Sequence, residues 1–76
     1  MLSEVHDIWC EILGVDHIKD DERFYDIGGN SILLIMILDA VKKKFDCDLP
    51  TTDIYLYDTV YKMTLFIEED KKGKGL

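Results

Sequence analysis

The stretch Tyr25-Asp26-Ile27-Gly28-Gly29-Asn30-Ser31 runs directly into Ile32-Leu33-Leu34-Ile35-Met36-Ile37-Leu38. Two adjacent glycines mark a turn, and a serine stands at its exit. On a wheel of about 3.6 residues per turn, Leu34, Ile37, Leu38, Val41 and Phe45 share one face. That spacing predicts a helix from Ser31 to Lys44 or Phe45 with this face in the core. Ile32 and Met36 project to the other side with Ile35 at a flank, and Asp39, Lys42 and Lys43 continue the outer face in polar form. The outer apolar residues are therefore concentrated beside Ser31. Either another segment covers them, or they form an exposed docking patch. Burying each in a complex would contribute up to ~1.5–3 kcal/mol, enough for transient recognition once association costs are met.

Working outward, Val5, Ile8, Trp9 and Ile12 predict a first helix from about Ser3 to Leu13. Ser3 suits its cap, Glu4 and Asp7 complement its positive end, and Gly14 stops it. Trp9 is expected as a core anchor with a wet ring edge. Residues 15–30 form a long connection, with Phe24 and Ile27 as the side chains expected to pin it. After the central helix, Asp46-Cys47-Asp48-Leu49-Pro50 ends helical geometry. Thr51 or Thr52 is placed to cap a short third helix over Asp53–Tyr57, held by Ile54 and by Leu56 or Tyr57. A last helix is expected from Thr59 to Asp70, burying Val60, Met63, Phe66 and Ile67. The segment 71–76 reads as a flexible tail. The expectation is an all-α fold: one small four-helix domain over residues 1–70 with one short member.

The chain has 76 residues, 47% hydrophobic and 33% charged, with a formal net charge of −7. So small a core leaves little room for an enclosed catalytic pocket. The acidic balance disfavours nucleic acid and anionic membranes and favours partners with basic docking patches. Lys42-Lys43-Lys44 reads as a solvated helix face. Cys10 and Cys47 stand far apart, without a CxxC, and His6 and His17 complete no zinc pattern. The acids of the loop miss the alternation of a calcium loop, so no metal is expected. With no signal peptide or spanning segment, the expected setting is a reducing cytoplasm.

Three chemistries are conceivable for Ser31. A hydrolase nucleophile lacks both a G-x-S-x-G elbow and a paired base. Phosphate-cradling loops need more glycines and a preceding strand. A serine at a helix start beside a glycine turn is instead accessible to a modifying enzyme, and the free N–H groups there stabilise a phosphate on its hydroxyl. Against this stands the plain reading that Gly28 and Gly29 permit a turn and Ser31 caps the helix.

Phe24-Tyr25-Asp26-Ile27-Gly28-Gly29-Asn30-Ser31-Ile32 resembles the attachment motif of peptidyl (aminoacyl) carrier proteins of nonribosomal peptide synthesis. The likeness continues through Phe45, Leu49-Pro50, Asp53-Ile54-Tyr55 and Thr59-Val60. It implies a four-helix fold of acyl-carrier type, with 4′-phosphopantetheine attached to Ser31 by a separate phosphopantetheinyl transferase. Gly28, Gly29 and Asn30 would form the attachment turn, and Ile32, Ile35, Met36, Ile54 and Tyr55 would steer docking. The implied partners are an adenylating enzyme and condensing, tailoring or releasing enzymes; the chain itself would be a monomeric, non-catalytic carrier. Three positions depart from the pattern: Asp58 replaces a frequent proline, Asp46-Cys47 a frequent Gly-Val, and Asn30 a frequent His or Asp. Fatty-acid carriers typically have Asp-Ser-Leu at the serine, so Gly-Gly-Asn-Ser-Ile favours the peptidyl type. An acyl carrier of polyketide or D-alanyl type is the nearest alternative. An unmodified helical interaction module is the alternative from another class.

Overall fold

A computed structural model describes residues 2–50 and 54–74, with side chains as far as Lys71. Among the described residues three α-helices carry the fold: α1 (Leu2–Leu13), α2 (Ser31–Phe45) and α3 (Val60–Lys74). Two 3₁₀ turns, Phe24–Ile27 and Ile54–Leu56, lie in the connections. The short third helix expected from sequence is thus a single 3₁₀ turn, because three residues without a long apolar stripe cannot sustain an α-helical ladder. Its anchor is the buried Tyr57, whose hydroxyl donates to the Pro50 carbonyl. Leu56, the other proposed anchor, is exposed. The proposed caps Thr51 and Thr52 lie outside the described residues.

α1 packs against both α2 and α3. It contributes Val5 and Trp9 to the core, α2 contributes Ile37 and Val41, and α3 contributes Val60, Met63 and Ile67. Trp9 is wholly buried, with no wet edge, because its indole N–H donates to Met63 Sδ at 3.1 Å and so loses its need for water. Leu38 and Phe66, expected in the core, are only half-buried and pack against its margin.

Helix ends follow local chemistry. α1 begins at Leu2, so Ser3 lies inside its first turn. Gly14 follows in the left-handed region at φ 72°, and its N–H donates to the Cys10 carbonyl. At the end of α2, Asp46 adopts φ 54°, a conformation that glycine takes more cheaply. α3 is capped by Thr59, whose Oγ1 accepts from the Lys62 N–H at 3.0 Å, and the helix runs on past Asp70 to Lys74.

Three side chains pin the long connection. Phe24 is buried and Ile27 half-buried, in line with their expected pinning. Ile18 is the third, almost fully buried, and its N–H donates to His6 Nε2 at 3.3 Å. His6 therefore ties α1 to the loop. Among the described residues no group of three or more His, Cys, Asp or Glu side chains is placed to hold a metal ion. Also among them, no helix is long and apolar enough to cross a membrane. Cys10 and Cys47 are both free thiols.

Candidate functional site

The glycine turn rests on the core through one aromatic ring. Phe24 meets Trp9 edge-on, with ring centroids 5.3 Å apart, and its backbone N–H donates to the Asp58 carbonyl at 2.7 Å. This bond joins the loop before α2 to the entry of α3. Asp58 is buried, and its carboxylate holds the Lys62 ammonium at 3.1 Å. Where the pattern often has proline, a buried carboxylate thus pairs with an exposed lysine across the first turn of α3.

From Phe24 the chain passes through the 3₁₀ turn to Gly28, whose φ of 98° places it in the left-handed region. Gly29 donates to the Phe24 carbonyl at 3.0 Å and lies against that ring. A Cβ at Gly29 would stand 2.5 Å from two ring carbons. The first glycine is needed for its backbone angle and the second for space. Asn30 then caps α2: its Oδ1 accepts from the Leu33 N–H at 2.9 Å, and its carbonyl accepts from the Leu34 N–H at 2.9 Å. The cap is therefore Asn30 rather than Ser31.

Ser31 is the first residue of α2 and is exposed. Its own N–H and that of Ile32 have no intrahelical acceptor, as at the start of any α-helix. An anion on the Ser31 hydroxyl would meet these donors and the positive end of a 15-residue helix.

The outer face of α2 is bare. Ile32 is 73% exposed, Ile35 64% and Met36 49%, and on the second 3₁₀ turn Tyr55 is 70% exposed. Ile54, grouped with them from sequence, is half-buried against the core. Tyr25, which the sequence reading did not single out, is also exposed and touches Phe24 edge-on. Farther along α2 the polar face is neutralised: Lys42 pairs with Asp48 at 2.8 Å, Lys43 with Asp39 at 2.9 Å, and Lys44 with Glu4 at 3.7 Å. The hydrogen bond to Asp48 holds the Lys42 ammonium above the usual lysine range. This leaves the lysine run as a paired helix face and not a basic patch.

The family of phosphopantetheine attachment sites matches residues 3–67. The chain belongs to that family. Its cofactor is accordingly 4′-phosphopantetheine, and its family is one of carrier domains rather than catalysts. Polyketide synthase PksN of Bacillus subtilis (strain 168) is 34% identical over 76 residues, which is 95% of this chain and 1% of that protein. The L-2-aminoadipate reductase of Saccharomyces cerevisiae is 35% identical over 74 residues, 95% of this chain and 5% of its own length. The hybrid PKS-NRPS synthetase ucsA of an Acremonium species is 34% identical over 77 residues, 96% of this chain and 2% of its length. The carrier domain thus spans only a few hundredths of these relatives.

Among solved structures, BlmI, a type-II acyl-carrier protein of Streptomyces verticillus involved in bleomycin biosynthesis, superposes with a TM-score of 0.81. Its identity is 32%, with 90% of this chain and 82% of that one covered. The structure of the phosphopantetheine transferase Sfp with coenzyme A and a peptidyl carrier protein gives a TM-score of 0.84 at 22% identity, covering 90% of this chain and 88% of that one. At that identity the likeness is one of fold. The exposed serine, its two unbonded helix N–H groups and the glycine turn fit a phosphodiester-linked arm.

Proposed function

We propose that the chain is a peptidyl or aminoacyl carrier domain whose Ser31 bears 4′-phosphopantetheine and which shuttles a thioester-bound amino acid or peptide between biosynthetic enzymes. One observation carries this reading: Ser31 is exposed at the first position of α2, beside the bare apolar residues Ile32, Ile35 and Met36. When bound, the cofactor supplies a flexible arm ending in a thiol. The chain's own residues present it. On attachment, Ser31 Oγ would lose its proton and bond to the phosphopantetheine phosphorus as the pyrophosphate bond of coenzyme A breaks and adenosine 3′,5′-bisphosphate leaves. The Ser31 and Ile32 N–H groups would hold the phosphate, while Gly28, Gly29 and Asn30 shape the turn in which the hydroxyl is offered. Ile32, Ile35 and Met36, with Ile54 and Tyr55 on the second 3₁₀ turn, form the face that a transferase, an adenylating enzyme or a condensing, tailoring or releasing enzyme would engage. The cytoplasm suits two thiols left unjoined.

A second reading differs only in cargo. Two of the relatives carry polyketide synthesis in their names, and the 32% identical structural neighbour is an acyl-carrier protein, so an acyl thioester is the alternative. The Gly-Gly-Asn-Ser-Ile motif favours the peptidyl form. The deciding experiment is intact mass after incubation with coenzyme A and a broad-specificity phosphopantetheinyl transferase. One phosphopantetheine should be gained by the native chain and none by Ser31→Ala. A gain retained by Ser31→Ala would refute the assignment, and loading assays with amino-acid-adenylating and acyl-transferring enzymes then separate the two cargos.

A further inference from the structure

Away from the Ser31 face, a group of titratable side chains joins α1 to the connection before α2. His6 and Cys10 stand one turn apart on α1, and His17 lies on the connection. The two imidazole rings are tilted against each other with centroids 5.1 Å apart. Cys10 Sγ lies 3.6 Å from His6 Nε2. The same nitrogen accepts the Ile18 N–H at 3.3 Å, and Ile18 is almost fully buried.

The protonation state of the His6 ring decides whether that bond exists. A neutral imidazole has one donor and one acceptor nitrogen. Since Nε2 accepts, the proton sits on Nδ1, where Asp7 Oδ1 at 3.4 Å receives it. A second proton binds only at Nε2 and turns the acceptor into a donor facing the Ile18 N–H. The bond is then lost, and the buried N–H regains a partner only by local opening toward water. The His6 side chain is 21% exposed, so solvent can deliver the proton.

The surrounding charges do not replace the lost acceptor. Asp7 on α1 and Asp16 on the connection both act on the Cys10 thiol and so attract a cation formed here. Asp7 is already engaged with Nδ1, and attraction between Asp16 and the ring gives the Ile18 N–H no acceptor. His17 opposes closure: protonated as well, it sets a like charge against His6 across the 5.1 Å ring separation. From α2, Lys44 is engaged with Glu4 at 3.7 Å. α3 meets α1 at Trp9 through Met63, an uncharged contact.

We propose that His6 is a proton-operated latch: neutral, it fastens Ile18 and the connection to α1, and protonated, it releases them. The latch leads to the site, because Ile18 and Phe24 pin the connection that ends in Gly28, Gly29 and Asn30. Its consequence for Ser31 rests on the attachment reading; the latch itself does not. The test is a pH titration of the isotopically labelled 76-residue chain, with the His6 ring and the backbone amides followed by NMR. The Ile18 amide shift should change with the midpoint of the His6 ring. Hydrogen exchange at Ile18, corrected for the intrinsic effect of pH, should be about tenfold faster on the acid side, the factor set by one hydrogen bond. The core amides of Ile37 and Val41 should keep their protection. His6→Gln offers an acceptor that does not titrate, so the step at Ile18 should vanish there. In His6→Ala the Ile18 amide should be poorly protected at every pH, and His17→Gln should retain the step. An Ile18 amide that ignores the His6 titration or stays protected in His6→Ala would overturn the proposal. So would a step that survives in His6→Gln or disappears in His17→Gln. Equal loss of protection at Ile18, Ile37 and Val41 would overturn it too, since that marks global unfolding. Ser31→Ala should titrate identically at Ile18, so failure here and failure of the attachment assay are separate results.

Discussion

Gly29 and the Phe24 ring contend for one volume, and that contest shapes the site at the scale of single residues. A methyl group at Gly29 would meet three ring carbons at 2.5–2.6 Å. The ring cannot retreat without disturbing its edge-on packing with Trp9. Gly29→Ala should therefore destabilise the fold by about 1–3 kcal/mol, the usual cost of overpacking. It should also slow attachment at Ser31 by displacing the turn. Gly28→Ala meets open space but a φ of 98°, so its cost should be smaller, about 1–2 kcal/mol from the backbone alone. Urea denaturation of both variants checks the order; a neutral Gly29→Ala would mean that the ring does not brace the turn. The glycine pair and Ser31 were legible in the sequence because turn chemistry is local. The reason for the second glycine was not. It depends on a ring five residues earlier being pressed upward by α1. The cap assignment was likewise one residue out, since Ser and Asn have similar capping power and only the backbone angles distinguish Asn30 from Ser31.

At the scale of elements, α2 has two working faces. Its inner stripe, Leu34, Ile37, Val41 and Phe45, is buried and was readable from periodicity alone. Its outer residues had two possible fates, covered or bare, and periodicity cannot choose between them. The structure leaves Ile32, Ile35 and Met36 bare because the connection before α2 is pinned elsewhere, by Ile18 and Phe24 on the α1 side. If the outer face serves partners and not folding, Ile32→Asp and Met36→Asp should change stability by no more than about 0.5 kcal/mol, as exposed substitutions do. The same variants should lose much of their rate of modification and loading in enzyme assays. A large fall in thermal midpoint for either would show instead that these side chains hold the fold together. The short element at Ile54–Leu56 was anticipated in place but not in kind. Its geometry is set by Tyr57 reaching the Pro50 carbonyl and the edge of Phe66, contacts that no local pattern encodes.

Considered as a whole, the molecule carries its titration behaviour through packing around α1 and the end of α2. Burial, followed by the charges of Asp7 and Asp16, pushes the Cys10 thiol up. A thiol whose folded pKa lies above its unfolded value is favoured protonated by the fold. Its contribution to stability is full below the unfolded pKa, about 8.5, and is lost as pH rises through the folded value. The urea midpoint should therefore fall on going from neutral to alkaline pH, and Cys10→Ala should flatten the part of the fall that begins near the free-thiol range. An unchanged slope in that variant would mean that the burial of Cys10 carries no linkage. Lys42 is also raised, by Asp48, and its contribution disappears in the same direction but only beyond the usual lysine range. By itself the sequence determined the helical class, the core stripe of α2, the glycine turn and the serine it presents, because these rest on spacing and on the chemistry of a few adjacent residues. Only the tertiary structure decided the complete burial of Trp9, the tie of His6 to Ile18 and the bareness of α2 beside Ser31. Each of these depends on which distant segment packs against which face, and a one-dimensional pattern does not carry that information.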